Sequence, residues 1–143
     1  MKYLKLFEKF DTKSIKEDIK DIFRELEDNG FTIKVSFYKN SKWDFLPDDF
    51  NYIINISNNS KFDCGPDSEI CETLLRLEDY SNINDLSIDS IEICTTITNY
   101  ANNRTDIKGI SKSNGLSYAS KSGYGLKYVD FPIKRIKIEI GKK

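Results

Sequence analysis

The hydrophobic repeat changes period at one point, Asn29-Gly30, and that change confines the chain to folds that pack helices against a sheet. Before it, Ile15, Ile19, Ile22, Phe23 and Leu26 recur at helical spacing, which gives one buried face. After it, Phe31, Ile33, Val35 and Phe37 alternate with Thr32, Lys34, Ser36 and Tyr38, the alternation of a half-buried strand. Ser14 and Glu17 fit a capping box at the helix start. Gly30 suits the left-handed position that ends a helix. A helix followed at once by a strand leaves one apolar face on each, and the two bury each other.

The same alternation of patterns continues along the chain. Tyr3, Leu4, Phe7 and Phe10 stand at helical spacing in a short lead-in. Residues 39–49 read as a polar loop holding Trp43, Phe45, Leu46 and Pro47, either a folded-back anchor or a contact patch. Residues 50–57 read as a second strand, with Tyr52, Ile54 and Ile56 on one face, and residues 58–65 as a turn-rich connection. Pro66 suits the first turn of a second helix, with Asp67 and Glu69 at the positive end of its dipole. Ile70, Leu74 and Leu77 mark its buried stripe, with Cys71 alongside, and it should end near Tyr80. Residues 88–99 alternate again as a third strand.

Residues 101–126 are rich in Ser, Gly, Asn and Lys and poor in aliphatics. They read as a long basic loop, with a weak hairpin signal at Asn114-Gly115. A last strand is expected over residues 127–140. Val129, Phe131 and Ile133 share one phase, whereas Ile136, Ile138 and Ile140 share the other. The flip near Lys134-Arg135, beside Pro132, predicts a β-bulge or a strand that changes face. The expected fold is a single α+β domain over residues 1–143. Two or three helices pack on one face of a mostly antiparallel four-stranded sheet.

Charge is unevenly distributed. Residues 1–100 carry 12 Lys and Arg against 20 Asp and Glu, whereas residues 101–143 carry 10 against 3. A basic end on an acidic body implies a nucleic-acid surface, an acidic partner, or complementation within the fold. Histidine is absent, which removes Ser-His-Asp and Cys-His catalysis and His-based zinc sites. Cys64, Cys71 and Cys94 are odd in number and lack C-x2-4-C spacing, so they read as reduced, buried thiols rather than metal ligands. The opening residues lack the apolar core of a secretion signal, and no apolar run reaches membrane-spanning length. The expectation is a cytoplasmic protein with no membrane contact.

The cations and tyrosines of the C-terminal region are the candidate binding residues: Arg104, Lys108, Lys112, Tyr118, Lys121, Tyr124, Lys127 and Tyr128. Cations can follow phosphates while tyrosines stack on unpaired bases. A solubilised loop and an edge strand guarded by Lys and Arg account for the same residues without any ligand. Carboxylates at Asp48, Asp49, Asp63, Asp67, Glu69, Asp85 and Asp89 match no calcium-loop pattern, and capping explains several of them. Gly109, Gly115, Gly123 and Gly125 form neither a Walker loop nor a dinucleotide turn. No cofactor is expected.

Met1, Lys2, Lys5, Phe7 and Glu8, followed by Glu27, Asp28, Gly30 and Phe31, carry a resemblance over residues 1–38. This stretch resembles the start of small proteins of large tailed bacteriophages. The resemblance implies a viral protein acting in a host cytoplasm. Together these readings give a non-enzymatic accessory protein that binds a host or viral protein, or nucleic acid, through its basic C-terminal region. The alternatives are a homo-oligomeric structural or virion component and, third, a metal-dependent carboxylate nuclease.

Overall fold

The last strand of the chain becomes the middle of the sheet. The computed structural model describes residues 12–39, 50–95, 104–120 and 125–142. In chain order the elements are α1 (Thr12–Ile22), α2 (Arg24–Asp28), β1 (Thr32–Lys39), β2 (Phe50–Phe62) and α3 (Glu69–Ile83). They continue with β3 (Leu86–Cys94), β4 (Arg104–Ser111), β5 (Gly115–Ala119), β6 (Leu126–Tyr128) and β7 (Ile133–Lys142). The strands form one antiparallel sheet in the order β1-β2-β7-β3-β4-β5-β6. Expectations placed on residues 1–10, on the loop with Trp43, Phe45 and Leu46, and on Lys121 and Tyr124 lie outside the described residues.

The first helix begins two residues before the expected Ser14. It breaks at Phe23, whose φ of −92° and ψ of 0° separate α1 from α2. The stop at Gly30 is as the sequence implies. Gly30 takes φ +98°, the Phe31 amide donates to the Leu26 carbonyl at 3.0 Å, and the Gly30 amide donates to Glu27 at 3.1 Å. Those two bonds close a Schellman motif and satisfy carbonyls that the helix end would otherwise leave open. The second long helix starts later than the sequence predicts. Ser68 is its N-cap, accepting from the Cys71 amide at 3.2 Å, and Pro66 lies in the preceding turn. A serine hydroxyl satisfies an open amide, which a proline at that place cannot do.

Three rows of apolar side chains cross the centre of the sheet. Register sets Ile136 between Ile56 and Ile93, Ile138 between Ile54 and Ile91, and Ile140 between Tyr52 and Ile88. Ile136, Ile138 and Ile140 have no solvent exposure. Ile19, Phe23 and Leu26 from α1, α2 and the break between them, with Ile70, Leu74 and Leu77 from α3, complete the same core. Each such side chain stabilises the fold by roughly 1.5–3 kcal/mol on burial.

The α+β class is as expected, but the sheet has seven strands among the described residues rather than four. The segment read as a long loop over residues 101–126 contains β4 and β5, joined at the Asn114-Gly115 hairpin. Each of these strands contributes few buried apolar side chains, so alternation is too sparse to register. The expected final strand is two strands, because residues 129–132, with Pro132, separate β6 from β7, and the two pair with different neighbours. β2 runs five residues beyond its expected end, to Phe62. The predicted phase flip is real, since Ile133 and Ile136 are both buried. The accompanying register shift lies between Ser57 and Phe62 of β2, opposite Arg135 and Ile133, so the extra residues belong to the partner strand.

Candidate interaction surface

β4 carries the chain out of the central sheet. It pairs with β3 only through residues 104–106 and then continues as one side of a hairpin with β5. A register shift between Ile107 and Gly109 leaves Lys108 as an inserted residue. The Ser117 hydroxyl donates to the Gly109 carbonyl at 3.3 Å across this bulge. A Cβ at position 109 would lie 3.0 Å from that hydroxyl oxygen, so the glycine permits the close approach.

The hairpin tip is anchored to the start of α3. Ser111 accepts from the Asn114 amide at 3.0 Å, which closes the turn. The Cys71 thiol donates to the Ser111 carbonyl at 3.5 Å. Gly115, at φ +79°, lies against the backbone of residues 64–66, where an added Cβ would meet Pro66 N at 3.1 Å. Burial first, and then the neighbouring Asp63 and Cys71, push the Cys64 thiol well above its ordinary range. Burial and the acidic Asp67 and Glu72 also push Cys71 up. Both therefore stay protonated at neutral pH, as a hydrogen-bond donor at position 71 requires.

β6 is the outermost strand of this extension. Tyr128 pairs with Ser117, Lys127 with Tyr118, and Leu126 with Ala119. The Val129 amide donates to the Leu116 carbonyl at 2.9 Å, and the Ser120 amide donates to Gly125 at 3.3 Å. Tyr118 is half-buried and meets Phe131 edge to face, with ring centroids 6.2 Å apart. Leu126 is 56% exposed and Tyr128 47% exposed.

The fold separates the sequence-predicted binding residues into three groups. Lys108, Tyr118, Lys127 and Tyr128 come together on adjacent strands of the extension. Lys112 sits at the hairpin tip and shares a groove of about 490 Å³ with Asp67, Glu72, Asp79 and Arg76 of the α3 side. Arg104 lies at the other end of β4, in register with Cys94 and then Arg135 of the central sheet. Lys121 and Tyr124 are outside the described residues.

Sequence reasoning missed Leu126. Its signal was the Leu126-x-Tyr128 alternation, hidden because Leu126 was assigned to the end of the loop over residues 101–126 and the strand was started at residue 127. Two of the carboxylates singled out in the sequence, Asp63 and Asp67, have local places in the fold. Asp63 accepts from the Gly65 amide at 3.1 Å and Asp67 stands in the turn before α3. Among the described residues, no helix is long and apolar enough to cross a membrane. Comparison with protein-family models, with curated proteins and with solved structures finds no match to this chain.

Proposed function

We propose that this chain is a non-enzymatic binding protein that takes a macromolecular partner on the β4–β6 extension. The observation that carries this reading is the exposure of Leu126 and Tyr128. Four large hydrophobic side chains are exposed among the described residues, and two of them stand on this three-residue strand. A contiguous exposed apolar patch is a sign of a contact surface, and these two side chains stand together on one short strand. Lys127, between them in sequence, adds a positive charge to this edge strand.

A protein partner is favoured over nucleic acid. A phosphate track needs cations in sequence along one groove, and here Arg104 and Lys112 lie at opposite ends of the hairpin. Tyr118 spends one ring contact on Phe131 rather than offering both faces for stacking. The viral setting, and with it a host or viral protein as partner, rests on the resemblance in residues 1–38. The cytoplasmic setting rests on three cysteines that are all free and buried.

The test is capture from lysate with the wild-type chain, with Lys127→Glu/Tyr128→Ala and with Lys112→Glu, each before and after nuclease. The expected result is a discrete protein band, nuclease-resistant, lost in the double variant and kept in Lys112→Glu. Recovery that vanishes on nuclease treatment, or that is indifferent to the double variant, would refute the assignment.

A second reading, homo-oligomeric assembly, is favoured by the other edge of the sheet. β1 is eight residues long and places Phe37 at 40% exposure beside Tyr52, ring centroids 5.3 Å apart. Light scattering at high protein concentration and low salt decides it, and a monomer there dismisses it.

A further inference from the structure

We infer that β6 is extended by an acidic, extended segment of a partner protein, added antiparallel as an eighth strand. This rests on the reading that the β4–β6 extension is the docking surface.

In an antiparallel ladder, residues that bond the neighbouring strand alternate with residues whose N–H and C=O point away from it. The Val129 amide bonds Leu116, and the Ser120 amide bonds Gly125. Positions 125, 127 and 129 therefore face β5. The peptide groups of Leu126 and Tyr128 point to the open edge, where β6 ends the sheet among the described residues. These are the same two residues whose side chains are 56% and 47% exposed. The edge thus offers two donors, two acceptors and two apolar side chains in a repeat that an added strand matches, backbone for affinity and alternate side chains for specificity.

The identity of the added strand follows from Lys127. A residue paired opposite it across the new ladder occupies a non-hydrogen-bonded position, where side chains come closest. A second copy of β6 in full antiparallel overlap would set Lys127 against Lys127, a like-charge pair in that closest position. A partner with Asp or Glu there, flanked by apolar residues opposite Leu126 and Tyr128, turns the same position to attraction. With only three residues in β6, the motif is short: apolar, acidic, apolar.

The probe is a displayed peptide library with apolar residues fixed on either side of one randomised central position. It is selected on the wild-type chain and on Lys127→Glu. Asp and Glu should dominate the centre on the wild type, and Lys and Arg on the variant. The best wild-type peptide is then synthesised with single N-methyl groups along its backbone. Methylation on residues that face β6 should weaken binding about tenfold, whereas methylation on the alternate residues should leave it unchanged. Tyr128→Pro should bind less tightly than Tyr128→Ala, because both lose the ring and only proline loses the outward amide.

An unbiased central position, the same peptides on both chains, or no alternation in the N-methyl series would overturn strand addition. If no peptide is enriched while capture of a folded protein still depends on Lys127 and Tyr128, strand addition falls and the docking surface stands. If that dependence is also absent, the docking surface falls with it.

Discussion

Replacing Gly115 by alanine tests whether the β4–β5 hairpin is held by the α3 side of the molecule. Two costs add at this position. An L-residue at φ +79° is strained by about 1–2 kcal/mol. The new Cβ would then stand 3.1 Å from Pro66 N, 3.2 Å from Gly65 C and 3.3 Å from Cys64 O. All three are backbone atoms, so the neighbour cannot swing aside as a side chain would, and overpacking of this kind costs about 1–3 kcal/mol. Gly30 is the control. It has φ +98° but nothing within 4 Å of its built Cβ, so Gly30→Ala carries the conformational cost alone. Both substitutions reduce the freedom of the unfolded chain by the same small amount, which cancels in the comparison. Gly115→Ala should therefore destabilise by about 2–5 kcal/mol, and by about 1–3 kcal/mol more than Gly30→Ala. Urea unfolding followed by far-UV circular dichroism reads both as midpoint shifts at constant slope. Equal shifts, or a larger one for Gly30→Ala, would mean that the hairpin tip does not press on residues 64–66.

Four further outcomes follow from the same structure. Cys64, Cys71 and Cys94 are all buried and free, so a disulfide reagent at neutral pH should label none of them until the chain unfolds; fast labelling of any one contradicts its burial. Stability should fall with rising pH from about 9, because the unfolded chain releases the Cys64 thiol proton near the ordinary 9.0 while the fold retains it, and the unfolded state then binds fewer protons. One fully shifted group contributes a slope of about 1.4 kcal/mol per pH unit, measured as urea midpoints from pH 8 to 10. Tyr80, raised by burial and by its 2.9 Å hydrogen bond to Asp18, should add to the decline above 10, and Tyr80→Phe should remove that addition. Ser68→Ala should cost about 1 kcal/mol in the same urea assay, since its hydroxyl caps α3, whereas an unchanged midpoint would dismiss the cap.

The elements that were legible in the sequence are those that bury a complete stripe. Ile19, Phe23, Leu26, Ile70, Leu74 and Leu77 repeat at helical spacing and are all buried. Tyr52, Ile54 and Ile56 alternate and are all buried. β4 and β5 were legible only as a weak hairpin signal, and β6 only as the start of a longer strand, because an edge extension buries little. Leu116 is buried in β5, Ile107 and Ile110 of β4 are only partly covered, and all three residues of β6 are exposed. With so few apolar positions, alternation gives way to the Ser, Gly and Asn content, which reads as a loop. The candidate site was legible by residue type but not by grouping. Lys112 and Lys108 stand four residues apart in the chain, yet one lines the α3 groove and the other sits in the β4 bulge.

The charge asymmetry could not be interpreted without strand order, which local pattern does not encode. β7 comes last in the chain but lies between β2 and β3, strands from the acidic portion. A central strand with one face in the core must carry its polar residues on the other face. Register therefore sets Lys137 between Asn55 and Glu92, with Asp106 beyond Glu92 on β4. In the next row Arg135 lies between Ser57 and Cys94, its Nη2 donating to the Cys94 thiol sulfur at 3.6 Å. Of the β7 cations, Lys137 is thereby placed beside Glu92 and Arg135 beside Cys94 within the same sheet. A reading that counts them toward an external partner counts them twice. Among the described residues, the cations left to the extension are Lys127, on β6 with Leu126 and Tyr128, and Lys108, two strands inward on β4. A single lysine between two exposed apolar residues at a strand edge suits a short acidic-apolar protein segment better than a phosphate backbone, which needs a longer run of charge.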